Sequence, residues 1–158
     1  MRDLEGRVHS IQVSNGGVPK LLRSSARVTF DGLRGDRQSD LRHHGGRDRA
    51  VLLYSLELIA ALRKEGHPIV PGSIGENLTL TGLDWSRLGP RVRLEVGPVV
   101  LEITTAASPC EKIAGSFHDG QFVRVSEKVH PGWSRLCARV LTEGEVTVGC
   151  PVVRGGDP

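Results

Sequence analysis

The sequence predicts a mainly β protein, a closed or nearly closed β-barrel of short strands with a few inserted helices. Three observations carry that reading. Twenty glycines and nine prolines cut the 158 residues into short pieces, as in many-stranded β proteins. Alternating or apolar runs of strand length recur between the cuts. One segment alone places its apolar residues at clear helical spacing.

The elements follow in order. Residues 6–14 set Val8, Ser10 and Gln12 against His9, Ile11 and Val13, a first strand, and Asn15-Gly16-Gly17 is a turn signal behind it. Further strands are expected at 26–30, 50–54, 77–81, 91–96 and 99–104, the last two joined tightly by Gly97-Pro98. Residues 136–141 and 145–148 flank Thr142-Glu143-Gly144 as a closing hairpin. The helix is expected over 56–65: Ser55 is a suitable N-cap, Leu58, Ile59 and Leu62 share a face, and Gly66 ends it. One or two short helices are expected within 111–117 and 121–129.

Composition sets the outer limits. Hydrophobic content is 38% and aromatic content 4%, so the core must rest on Val, Leu, Ile and Ala. The length fits a single domain over 1–158, with its core at about 6–153 and a loose tail at 154–158. Three widely spaced cysteines, Cys110, Cys137 and Cys150, without a Cys-x-x-Cys pair, argue against a disulfide framework or a structural zinc knot. Together with an N-terminus lacking an apolar leader and no run long enough to span a bilayer, they predict a cytoplasmic protein with no membrane partner. The formal charge of +3 is mild, and no basic helix or aromatic platform accompanies it, so nucleic acid is not an expected partner.

Three stretches carry chemistry. The first is Ser108-Pro109-Cys110-Glu111-Lys112, behind an apolar strand. Pro109 has no N–H for a sheet and should end the strand, leaving Cys110 at a strand mouth. The Lys112 ammonium would favour the thiolate, the form that attacks or binds a soft metal. The alternative is a small buried hydrophobe, the usual state of a free cysteine. The second stretch is His43-His44-Gly45-Gly46-Arg47-Asp48-Arg49, preceded by Gly35-Asp36-Arg37. Its glycines let backbone N–H groups approach an anion, with His44 and Arg49 as further donors; a solvated charged turn explains it as well. The adjacent histidines point to opposite sides and do not easily chelate one ion. The third is Pro71-Gly72-Ser73-Ile74-Gly75-Glu76-Asn77-Leu78, where Glu76 and Asn77 serve either a pocket or a structural cap for loop amides.

Taken together, Gly-Asp-Arg (35–37), His-Gly-Gly-Arg-Asp-Arg-Ala (44–50), Pro-Gly-x-x-Gly-Glu-Asn-Leu (71–78), Pro-Cys-Glu-Lys (109–112) and Ala-Arg-Val-Leu-x-x-Gly-x-Val (138–146) resemble the MOSC family, named for the C-terminal part of molybdenum cofactor sulfurases. The similarity runs from about Gly6 to Val153, and its strength lies in five motifs keeping their order. The chain departs from the pattern at Arg47, where many members have proline, at Cys137, where an aromatic residue is common, and at Cys150, where Asp is frequent.

The resemblance implies a β-barrel whose pocket holds the molybdenum cofactor (molybdopterin), with Cys110 as catalytic residue and molybdenum ligand. It carries His44, Gly45, Gly46, Arg49, Glu76, Asn77, Lys112 and Arg139 over as cofactor-binding positions. The implied activity is molybdenum-dependent oxidoreduction, the reduction of N-hydroxylated compounds with electrons from a partner redox protein. The alternative is a sulfur carrier with a Cys110 persulfide, or a cofactor carrier serving a cofactor-handling enzyme. Pyridoxal phosphate is not expected, since this length has no room for a desulfurase domain, and a monomer or homodimer is expected.

Overall fold

The structure, a computed structural model, describes residues 6–14, 18, 20–36 and 46–155. One eight-stranded sheet runs in the order β11 (Pro151–Arg154), β7 (Arg93–Val96), β8 (Val99–Ala106), β9 (Leu136–Thr142), β5 (Val51–Ser55), β6 (Leu78–Thr81), β1 (Gly6–Val13) and β2 (Leu21–Arg23). β11 also pairs with β1, through Gly6 opposite Val152 and Arg7 opposite Pro151. That contact closes the first seven strands into a barrel and leaves β2 outside it. A second sheet sets β10 (Gly144–Thr147) beside β3 (Ser25–Thr29) and β4 (Gly32–Leu33).

Alternation explains the wall. Leu101 and Ile103 of β8, Ala138 of β9, Leu53 of β5 and Leu78 and Leu80 of β6 are all within 1% of complete burial and fill the interior. The register of β1 shifts between Val8 and Ser10. Beyond the shift Ile11 and Val13 join the apolar core, while Ser10 and Gln12 turn outward and are nevertheless buried. Something must therefore cover the outer face.

The cover is built from the long connections. β5 and β6 are parallel, so their link must cross over, and α1 (Leu56–Lys64) is that crossover. Ser55 caps it by accepting from the Leu58 N–H at 3.2 Å, and Gly66 follows at φ 101°. Ile59, Leu62, Ile69 and Ile74 from this link meet Ile113, Phe117 and Val125 from the link between β8 and β9 in the same core cluster.

Two expectations need correction. β9 and β10 do not form a hairpin: they are separated by Glu143 alone, too short a link for antiparallel return, so β10 pairs with β3 instead. The closing strand is β11, and Arg154 is not tail but lies opposite Leu94. The short helices expected within 111–117 and 121–129 are there, as the 3-10 turns Glu111–Ser116 and Phe122–Val125. Asp119, at φ 53°, stands between them. The Gly97-Pro98 link stands as expected, with Gly97 at φ 54°. The Asn15-Gly16-Gly17 turn lies outside the described residues.

Candidate functional site

Cys110 stands where the β8–β9 link begins. The last strand-like bond runs from the Ala107 N–H to the Arg135 carbonyl at 2.9 Å; β8 itself stops at Ala106, three residues before Pro109. Ser108 and Pro109 then leave the sheet, and Cys110 heads the 3-10 turn Glu111–Ser116 with extended backbone (φ −143°, ψ 174°). Its side chain is half-buried and reduced. Lys112 is exposed.

The cation placed against this turn is Arg135. Arg135 is 4% exposed, and its guanidinium forks between two loops: Nη1 donates to the Ile74 carbonyl at 3.0 Å and Nη2 to the Ser108 carbonyl at 3.1 Å. One side chain thus joins the loop that carries Gly-Glu-Asn to the turn that carries Pro-Cys. Its Nε is buried without a partner, and among the described residues no carboxylate lies within ion-pair distance of it. Burial lowers its affinity for the proton, while Cys137, Glu76, Cys110 and Tyr54 act to restore it. A buried positive charge bonded to neutral carbonyls is costly, and it favours an anion beside it.

Sequence reasoning missed Arg135. The alternation of β9 was the available signal: Leu136 and Ala138 face inward, so 135, 137 and 139 share the outer face. Cys137 is 6% exposed there, and burial raises its thiol pKa, with Arg49 and Arg135 pulling it back down. Arg139 is exposed, 3.5 Å from Glu102 and 3.8 Å from Asp48. Asp48 belongs to the 3-10 turn Arg47–Arg49 and accepts from the Thr104 hydroxyl through its carbonyl at 2.5 Å. Gly46 (φ 95°) and Arg49 are exposed on this turn; His44 and Gly45 lie outside the described residues.

Asn77 has a structural occupation. Its Oδ1 accepts from the Leu52 N–H at 2.9 Å, and its Nδ2 donates to Asp36 at 2.9 Å and to the Gln12 carbonyl at 3.4 Å. Asp36 accepts in addition from Lys20 at 2.9 Å and from the Ser14 N–H at 2.9 Å. The Gly-Asp and Gly-Glu-Asn motifs are therefore two halves of one buried brace. Gly72 completes it at φ 85°, where a Cβ would lie 2.9 Å from Gln12 Cγ. Glu76 is fully buried and accepts from the Thr79 hydroxyl at 3.1 Å.

Chemically, the site offers a half-buried soft donor, a buried cation without a countercharge, and an exposed Arg49 on a glycine-led turn. Among the described residues no three His, Cys, Asp or Glu side chains are grouped to hold a metal ion.

Comparison with known proteins places the chain in a family. The profile of the MOSC domain matches residues 40–153. The uncharacterized protein YflK of Bacillus subtilis is 29% identical over 141 residues, which is 87% of this chain and 62% of YflK. Protein YiiM of Escherichia coli is 27% identical over 130 residues, 79% of this chain and 57% of YiiM. The chain thus spans about three fifths of the length of these two relatives. The crystal structure of YiiM from Geobacillus stearothermophilus superposes with a TM-score of 0.75 at 23% identity, covering 96% of this chain and 75% of that one.

Proposed function

We propose, from the premise that this chain belongs to the MOSC domain family, that it binds the molybdenum cofactor associated with that family and reduces N-hydroxylated compounds with electrons from a partner protein. The observation that carries the reading is the half-buried Cys110 thiol on a turn fixed by a buried, carboxylate-free guanidinium. The cofactor supplies the two-electron chemistry when bound. The residues present fit it. Cys110 offers the thiolate that a soft metal takes, and Arg135 offers charge to the anionic groups around it. Arg49, beside Gly46, offers a guanidinium for phosphate, and the same sequence motif holds His44 and Gly45. Reduction of a hydroxylamine-type substrate takes up two electrons and two protons and releases the amine and water. The electrons come from the partner, since the sequence carries no flavin, haem or iron–sulfur motif.

The test is molybdenum and pterin content per chain, on protein purified from a host that makes the cofactor. Cys110→Ser is expected to lose molybdenum, while Cys137→Ser and Cys150→Ser retain it. Equal retention in all three variants removes the ligand role from Cys110. If no form holds cofactor under cofactor-replete expression, the second reading takes over: the exposed part of Cys110 carries a persulfide received from a desulfurase. Mass spectrometry of Cys110 then reads the extra sulfur directly.

A further inference from the structure

Three side-chain oxygens on the outer face of β1 and its surroundings are buried without a hydrogen-bond partner: Ser10 Oγ, Gln12 Oε1 and Glu76 Oε1. All three belong to residues gathered around Thr79. Ser10 lies opposite Thr79 in the β1–β6 ladder. Gln12 Nε2 donates to Thr79 Oγ1 at 3.2 Å and to the Glu76 carbonyl at 3.0 Å, and Thr79 Oγ1 donates to Glu76 Oε2 at 3.1 Å. Glu76 is 0% exposed, as are Gln12 and Thr79.

An amide carbonyl and an ionised carboxylate are both acceptors only, so neither satisfies the other. A single proton on Glu76 changes the count, because a neutral carboxylic acid is a donor. We propose that Glu76, fully buried with one carboxyl oxygen unpartnered and no cation in contact, is stored in the folded protein as the neutral acid below neutral pH, and that the charge of Arg135 is thereby left to the anions of the thiol site. Among the described residues, Arg135 is a cation that acts on Glu76 and Tyr54 a titratable neighbour; Gln12, Thr79 and the Gly72 backbone, which bond in the same cluster, do not titrate. Arg135 does not neutralise it by contact, since both its Nη atoms bond carbonyls. Consistent with the geometry, burial pushes the Glu76 carboxyl up to about 7, against weaker opposite pulls from the amides of Gly72 and Glu76, from Thr79 and from Arg135.

The inference stands on Glu76 itself and holds whether or not molybdenum binds. Infrared difference spectra near about pH 6 and again near about pH 9 test it on the full chain without cofactor. The expected result is a neutral-acid carbonyl band at the lower pH that is absent at the higher pH and absent in Glu76→Gln. Absence of any Glu76-dependent band at the lower pH overturns the proposal. Carboxyl carbon NMR of wild-type protein with labelled glutamate needs no variant to fold. One glutamate carboxyl is expected to remain neutral near about pH 6, and a fully ionised set overturns the proposal.

Discussion

The two faces of the barrel wall solve opposite problems with the same strands. Inside, Leu101, Leu53 and Leu80 are fully buried among apolar neighbours and need nothing but shape. Outside, beneath α1 and the β8–β9 link, the same wall buries Gln12, Glu76, Asn77 and Arg135, and every one of them needs a partner. The inner face is stabilised by removing surface from water, which any well-fitting hydrocarbon achieves. The outer face is specified by bonds of fixed geometry, so its residues are less replaceable even where they stabilise less. Chemistry sits on the second kind of surface.

Substitutions sharpen that contrast, beginning with the largest effect. Leu101→Ala should cost about 2–5 kcal/mol through lost burial and a cavity. Urea unfolding measures it, and cofactor content of the folded fraction should stay unchanged. Asn77→Ala leaves the Leu52 N–H and Asp36 with fewer partners and should cost roughly 1–3 kcal/mol. If it proves as mild as a surface change, the brace is not the frame of the outer face.

Acid and alkali should act on different residues. Arg124 holds the Glu65 carboxyl below its ordinary 4.5, through bonds of 2.9 and 2.8 Å. Stability from that clamp is present above 4.5 and is lost as pH falls through the depressed value. Glu76 has the opposite sign: its raised pKa stabilises the fold below 4.5, and that contribution is lost as pH rises through about 7. A thermal-midpoint profile should therefore fall on both sides, with Glu76→Gln flattening the alkaline side alone. Parallel profiles for the two proteins would count against a buried acid. A smaller effect is expected at Ser55→Ala, about 1 kcal/mol from the lost cap of α1. Smallest for stability is Arg49→Ala, within about 0.5 kcal/mol as an exposed change. Its expected signature is weaker cofactor retention in a normally folded chain, and unchanged cofactor content refutes a role in holding phosphate.

What the sequence disclosed follows the same division. The inner face was legible because alternation and glycine punctuation are local: β1, β5, β7 and β8 lie where their patterns put them, and α1 begins at its Ser55 cap. β11 was not legible, because Pro151-Val152-Val153 is too short to show a period and is held by distant pairing with β7 and β1. The Pro-Cys turn drew attention to Cys110, yet the sequence offered Lys112 as its cation when the fold supplies Arg135 from 25 residues further on. Asn77 could be read as a pocket or a cap, and the bond to Asp36, 41 residues earlier in the chain, gives it the structural task. Contacts of that separation leave no trace in local spacing.

The pairing of Gly6 with Val152 has a practical corollary. The first and last described strands lie side by side in the wall, so the two ends of the fold leave the barrel as neighbours. A short linker joining them, with new ends opened at the exposed Gly97-Pro98 turn, would yield a circular permutant that keeps every strand pair and cuts none of the loops around Cys110.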